Sequence, residues 1–354
     1  MPSLFDPITV GGLTLPNRII MAPLTRSRAD AVRVPNALMA EYYAQRASAG
    51  LIISEATCVT SMGVGYADTP GLWSDEQVQG WKLVTNAVHK KGGRIFAQLW
   101  HVGRISAPLF LNGELPVSAS AIAAKGHVSL VRPLQDYVTP RALETSELPG
   151  IVEAYRKAAM NAQMAGFDGV EVHGANGYLL DQFLQDSTNK RTDNYGGPVQ
   201  NRARLLLEVT DGVASVFGPE HVGVHLAPRM DSHDMGDSDR LGTFSYVARE
   251  LGERGIAFIC AREHKAEDWI GPKLKKIFGG VYIANEGFTK ESAQAVLDAG
   301  EADAVAWGKP FIANPDLVER FAKNAPLNEW NSSTFYAPGP HGYTDYPALE
   351  TAAA

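Results

Sequence analysis

Residues 166–178 read Gly-Phe-Asp-Gly-Val-Glu-Val-His-Gly-Ala-Asn-Gly-Tyr. The stretch before them, Leu148–Ala165, has the apolar spacing of an amphipathic helix, and Gly166 falls where such a helix should end. Gly169–His173 is then a short apolar run of strand length, closed by a polar exit. Helix, glycine, strand and polar exit make one unit, and the same rhythm extends both ways along the chain. Upstream, strands are expected at Arg18–Pro23, Leu51–Glu55 and Arg94–Leu99; downstream, at His221–Leu226, Ile256–Ala261, Gly280–Ala284 and Ala302–Trp307. Helices are expected between them, among them Asn36–Ala49, Asp75–Lys91, Asn201–Phe217 and Lys290–Ala299. Ser74 before Asp-Glu-Gln reads as an N-cap with acids in the first turn, and Asn314-Pro315-Asp316 as an N-cap followed by proline. Gly50, Gly92 and Gly300 mark further helix ends. Eight strands and eight helices in alternation predict an α/β fold of one domain over residues 1–354, a (β/α)₈ TIM barrel rather than an open doubly wound sheet.

One irregularity breaks the rhythm. Residues 100–145, after the third strand, are rich in Pro, Gly and Ser and contain alternating stretches such as His127–Val131 (HVSLV). A loop of that length in a compact domain is usually functional. It is expected to form a capping loop or hairpin insertion over one barrel mouth.

With 45% hydrophobic and 20% charged residues, the 354-residue chain has ample material for a large core. Its formal net charge of -7 argues against nucleic acid or an anionic membrane surface as partner. No apolar run approaches the roughly 18 residues of a membrane span. Cys58 and Cys260 stand alone and far apart, so no disulfide framework, zinc site or iron–sulfur site is expected and the metal expectation is none. They read as small buried hydrophobes, and a reducing cytoplasm suits them. The start, MPSLFDPITV, lacks the basic and apolar regions of a signal peptide.

In (β/α)₈ enzymes the active site lies at the carboxyl ends of the strands. The unusual residues of this chain collect there: Pro23 and Thr25, Glu55 and Ala56, Gln98 and Trp100, His173 to Tyr178, His225, Arg262, Asn285, and Gly308-Lys309. Polar side chains from many strands thus converge on one face. His173, Asn176 and Tyr178 form His-x-x-Asn-x-Tyr just past the fourth strand. Two donors three residues apart can serve one acceptor oxygen and stabilise charge developing on it, and a phenol can protonate carbon.

The stretch HGANGYLLDQFLQDSTNKRTDNYGG (His173–Gly197) resembles the signature of the Old Yellow Enzyme family. So do MAPLTR (Met21–Arg26), AQLWHVGR (Ala97–Arg104), AVAWGKPFIANPDL (Ala304–Leu317) and TFYAPGPHGYTDYP (Thr334–Pro347). The resemblance runs in order from Leu4 to Pro347 and has the character of the bacterial N-ethylmaleimide, xenobiotic and nitrate-ester reductases. It implies FMN as cofactor and NADPH or NADH as hydride donor. It also implies reduction of electron-poor alkenes, with His173 and Asn176 binding the activating oxygen and Tyr178 donating a proton. Thr25 and Gln98 are carried over as flavin contacts, Pro23 and Ala56 as packing or backbone groups beside the ring. Asn285, Gly308 and Lys309 belong to the phosphate end, and Trp100 and Tyr336 to the substrate pocket. His101 and Arg104 are expected to orient the insertion.

Two departures from the family pattern stand out. Lys309 replaces the usual arginine, keeping the charge but losing the bidentate fork. His225 stands where relatives more often carry an arginine near flavin N1; Arg229, four residues on, is a candidate to compensate. Glu286, beside the phosphate end, is expected to turn its side chain outward, and Thr289 to open the following helix. The implied reading is a ping-pong ene-reductase for enones, enals, maleimides or nitroalkenes, with nitrate esters and nitroaromatics as further oxidants. A dienoyl-CoA reductase-like enzyme is disfavoured by the two lone cysteines. A flavin-binding carrier or sensor without turnover is the alternative from another class.

Overall fold

In a computed structural model of the chain, which describes residues 1–229 and 233–349, the strands are β1 (Ile19–Met21), β2 (Leu51–Ile53), β3 (Ile95–Trp100), β4 (Gly169–Gly174), β5 (Val222–Leu226), β6 (Phe258–Arg262), β7 (Val281–Asn285) and β8 (Ala304–Trp307). Each pairs in parallel with its sequence neighbours, and β8 pairs with β1, which closes the barrel. The helices that follow the strands are α1 (Ala37–Gln45), α2 (Asp75–Lys90), α3 (Leu148–Met164), α4 (Arg204–Phe217), α5 (Arg240–Glu253), α6 (Gly271–Phe278), α7 (Lys290–Asp298) and α8 (Leu317–Lys323). This is the (β/α)₈ barrel that the alternation predicts. Residues 230–232 and 350–354 of the expected 1–354 domain lie outside the described residues.

Register decides which side chains enter the barrel. Gln98 pairs with Glu171 across β3 and β4, His173 with His225 across β4 and β5, and His225 with Cys260 across β5 and β6. Glu171 and His173 are two residues apart on one strand, so they share a face. All five therefore project inward. Below them the barrel is filled by Ile20, Ile53, Phe96, Phe258 and Ile283. A short antiparallel hairpin, Ile8–Val10 with Leu13–Leu15, adds Ile8, Val10 and Leu15 to this cluster and plugs the barrel's amino-terminal end. Its turn needs glycine: Gly11 has φ +53°, and a Cβ there would lie 1.9 Å from the Glu220 carbonyl oxygen. The outward-facing residues, such as Val170, Val172 and Val224, pack under the helices, for example against Leu206 and Val209 of α4.

The helix punctuation holds at Ser74, which forms a full capping box with Gln77, and at Thr289, which caps α7. Two readings are corrected. α1 ends at Gln45, so Gly50 is no cap; it lets the chain pass Asn17, whose carbonyl oxygen lies 2.2 Å from where a Cβ would stand. Asn314 is not an N-cap either, because α8 begins at Leu317; its side chain instead bonds Pro310 O at 2.8 Å and accepts from Asn328 N at 2.7 Å. The burial of these amide groups between chain segments outweighs their local turn propensity.

Within residues 100–145, Val117–Ser118 pairs in parallel with Arg141–Ala142. An antiparallel bridge joins His127 to Asp136, and Val128 N–H donates to Gln135 O at 2.8 Å. Arg104 is buried and ties this segment to Ile122 O at 2.9 Å and to His233 O at 2.6 Å. His101 Nδ1 accepts from Gly103 N–H at 3.1 Å, fixing the chain as it leaves β3.

Candidate active site

The carboxyl ends of the strands surround a cavity of about 710 Å³, a size suited to a cofactor with a substrate above it. It brings together the thirteen residues given a catalytic, cofactor or substrate role from the sequence: Pro23 and Thr25 past β1, Ala56 past β2, Gln98 and Trp100 on β3, His173, Asn176 and Tyr178 at β4, His225 on β5, Asn285 on β7, Gly308 and Lys309 past β8, and Tyr336 from the C-terminal segment. Glu55 instead lies buried outside it, accepting from Arg26 N–H at 3.1 Å.

His173 is buried, and its Nδ1 accepts from Ala175 N–H at 3.3 Å. An accepting Nδ1 places the proton on Nε2, leaving that nitrogen as a donor. Burial, with His225 and Arg262 nearby, holds the ring well below its usual pKa and therefore neutral. Asn176 adopts φ +59°, a conformation asparagine tolerates better than most residues. Its Oδ1 accepts from Arg262 Nη1 at 3.1 Å. Since arginine only donates, the amide oxygen must face it, and the NH₂ group is left for another acceptor. Two neutral donors thus stand one turn apart in the exit of β4.

Tyr178 packs edge-on to Trp100 at 4.9 Å and to His173 at 5.1 Å between ring centroids. Burial raises its phenol above the ordinary range, so it is protonated at neutral pH. Its hydroxyl lies 2.9 Å from that of Tyr66. Trp100 is fully buried yet lines the cavity, combining core and pocket roles.

Beneath these groups Gln98 donates from its amide nitrogen to Glu171 at 2.7 Å, so its oxygen is the remaining polar atom. His225 Nδ1 approaches the same carboxylate to 3.5 Å without forming a hydrogen bond, and both its ring nitrogens lack hydrogen-bond partners among the described residues. Unpaired polar atoms on the floor of a cavity suit a ligand rich in carbonyl and N–H groups, such as a flavin ring. At another side of the cavity Gly287, at φ +80°, has open space where a Cβ would stand, and Gly308 opens the short helix Lys309–Ala313. With Lys309 and the backbone N–H groups there, these residues fit a phosphate-bearing cofactor.

Two expectations are corrected. Glu286 does not turn outward; it lines the cavity and accepts from Arg262 at 2.9 Å, because the charge of the arginine outweighs solvation of the carboxylate. Arg229 does not compensate for His225: it pairs with Asp268 and is absent from the cavity lining. Sequence reasoning placed Arg262 at a strand end without giving it a role, and passed over Tyr66 and Trp330. The pairing of Tyr66 spans 112 residues and leaves no local signal.

The C-terminal segment reaches the cavity because buried Arg26 and Arg28 hold it. Arg26 bonds Phe335 O at 3.1 Å and Gly342 O at 2.8 Å, and Arg28 bonds Thr334 O at 2.9 Å. Tyr42 and Tyr343 stack at 4.0 Å beside Arg26. This brings Phe335 and half-exposed Tyr336 to the rim.

A barrel of this topology, with a neutral donor pair and a phenol over a floor of unpaired polar atoms, defines a flavin-dependent oxidoreductase. Residues 3–328 match the model of the NADH:flavin oxidoreductase / NADH oxidase family. The chain is 48% identical to the old yellow enzyme homologue of Zymomonas mobilis, covering 98% of this chain and 100% of that one, with a TM-score of 0.96. It is 51% identical to morphinone reductase, solved in complex with tetrahydroNAD, covering 100% and 99%, again with a TM-score of 0.96. It is also 42% identical to 12-oxophytodienoate reductase 2 of Arabidopsis thaliana over 99% of this chain and 96% of that protein. The chain belongs to the Old Yellow Enzyme family. It is an FMN-dependent, nicotinamide-driven oxidoreductase of activated carbon–carbon double bonds. Among the described residues no helix is long and apolar enough to cross a membrane.

Proposed function

We propose that the cavity reduces small electrophilic alkenes, with His173, Asn176 and Tyr178 in named roles. The observation that carries this reading is the locked geometry of the donor pair: His173 is fixed by Ala175 and Asn176 by Arg262, each with an N–H left to give. A carbonyl or nitro oxygen held by both gains stabilisation as negative charge develops on it. Tyr178, kept protonated by burial, supplies the proton to the α-carbon. Trp100 and Tyr336 shape the space above. Pro23, Thr25, Ala56, Gln98 and His225 bind the flavin ring, and Asn285, Gly308 and Lys309 its phosphate end. FMN held by these residues would supply the redox chemistry, hydride transfer from NADPH or NADH to the β-carbon. Nitrate esters and nitroaromatics are further oxidants on this reading. A cytoplasmic setting suits two buried free thiols.

The test is an anaerobic panel of enones, enals, maleimides and nitroalkenes with each nicotinamide. Oxidation of NADPH or NADH that depends on the added alkene is expected. A flavin carrier or sensor would bind the same cofactor and show no alkene-dependent turnover.

A further inference from the structure

Tyr178 faces the cavity on one side and Tyr66 on the other. Tyr66 is 9% exposed, does not line the cavity and stacks on Trp100 at 5.3 Å. Its backbone is anchored by Arg33, which bonds Tyr66 O at 3.0 Å. Among the described residues, the only hydrogen-bond partner of the Tyr178 hydroxyl is the hydroxyl of Tyr66, at 2.9 Å, and either can donate. His173 and His233 flank the ring at 5.1 and 5.6 Å, but burial lowers the pKa of both below the usual histidine value. His233 Nδ1 is in addition bonded to Asn176 O at 2.8 Å. Beyond Tyr66 lie Ser129 and Tyr137, close enough to act on the Tyr66 phenol. Ser129 is half-buried in the insertion, next to the exposed turn that follows Val128.

A substrate in the cavity closes the front approach to Tyr178. The phenolate formed when the proton leaves must then be stabilised, and reprotonated, from behind. We propose that Tyr66 is a positioning residue for Tyr178 and the first step of a proton path to solvent on the side of the insertion. The proposal rests on the reading of Tyr178 as proton donor. In the step, the Tyr178 O–H bond breaks, and its proton joins the electron pair left on the α-carbon by hydride addition to the β-carbon. The Tyr66 hydroxyl gives its proton to the Tyr178 oxygen, and a proton from solvent on the side of the insertion restores Tyr66. One solvent proton is consumed per alkene, and the electrons come from the nicotinamide.

Y66F and Y178F holoproteins, reduced anaerobically, are reoxidised by 2-cyclohexenone or by ferricyanide, which takes electrons and needs no carbon protonated. The ratio of enone to ferricyanide rate is expected to fall on the order of tenfold in Y66F, the effect of one hydrogen bond to a forming phenolate. Its solvent deuterium effect should grow. A second readout is independent of turnover: in protein labelled with ζ-13C tyrosine, the Tyr178 resonance, identified by its loss in Y178F, should move in Y66F. Phenylalanine keeps the stacking on Trp100, so packing alone moves neither the isotope effect nor the ratio. An unchanged ratio, isotope effect and resonance in Y66F, with the ratio lowered in Y178F, would overturn the path through Tyr66 and leave Tyr178 in place. An unchanged ratio in Y178F would instead overturn the role of Tyr178 itself.

Discussion

Arg262 donates across 3.1 Å to the amide oxygen of Asn176 and, from the other edge of its guanidinium, to Glu286 at 2.9 Å. The cation thereby sets which end of the amide is available as a donor. Replacing it with methionine frees the amide to rotate, and phenol binding should weaken about fivefold, the value of one neutral hydrogen bond of about 1 kcal/mol. Phenol affinity is read from the perturbed flavin spectrum. In an N176A background, R262M should add little further loss, since both changes remove one interaction; full additivity would separate the two residues.

Replacing His173 and Asn176 together by alanine should impair enone reduction and weaken phenol binding strongly. A phenolate resembles the charged oxygen these groups are placed to hold, and each hydrogen bond to a charged acceptor contributes roughly 1.5–3 kcal/mol. Unaltered phenol affinity in the double variant, with the flavin still bound, would remove both residues from the substrate site.

What the sequence makes legible here is whatever depends on local periodicity. β4 is readable because Val170, Val172 and their neighbours are apolar over a strand's length, and because the residues after it change abruptly in chemistry. The same contrast marks the other strand ends, which is why the cavity-lining residues past β1 and β8 could be named. The orientations of side chains are not local. Glu286 turns inward because Arg262, 24 residues away in sequence, faces it. Arg229 turns away because Asp268 does the opposite. The N-terminal hairpin has a legible signal, alternation on either side of Gly11-Gly12, but its strands are only three residues each. The stapling of the C-terminal segment by Arg26 and Arg28 spans some three hundred residues and has no signature in either segment alone.

Lys309 opens the helix after β8 and is exposed. The purified protein should be yellow, with one FMN per chain and no metal. Lys309→Ala should loosen FMN several-fold, the scale of an exposed charge contact of up to about 1 kcal/mol, and Lys309→Arg should tighten it through a bidentate grip. Reconstitution of apoprotein followed by flavin fluorescence measures both. FAD in place of FMN would overturn the assignment of that end of the cavity.

His101 gives the fold an acid-sensitive point. Burial lowers its pKa from 6.5 to about 4. In the unfolded chain it takes up a proton below about 6.5, while in the fold it stays neutral down to about 4. The unfolded state thus binds more protons in that window, so stability is lost as pH falls through it, by an amount on the order of 3 kcal/mol. His101→Asn keeps an acceptor for Gly103 N–H and removes the titration. Its stability will be lower at pH 7 from lost packing, but should decline less between pH 6.5 and 4.5. Denaturant unfolding at both pH values gives the slopes, and equal slopes would exclude His101 as the source.

His225 stands on the cavity floor, 3.5 Å from Glu171 and with both ring nitrogens lacking hydrogen-bond partners among the described residues. A permanent positive charge at this position would stabilise the anionic reduced flavin. His225→Arg should therefore raise the flavin midpoint potential and make reduction by NADPH more favourable. A unit charge about 5 Å away at an effective dielectric of about 20 is worth on the order of 3 kcal/mol before desolvation. Glu171 opposes part of this by pairing with the new cation, so E171Q/H225R should show a larger rise than H225R alone. Arg229 is paired with Asp268 and does not line the cavity. Spectroscopic redox titrations of the wild type and both variants at several pH values decide it. Equal potentials at every pH, with FMN still bound, would show that the charge at position 225 does not act on the flavin.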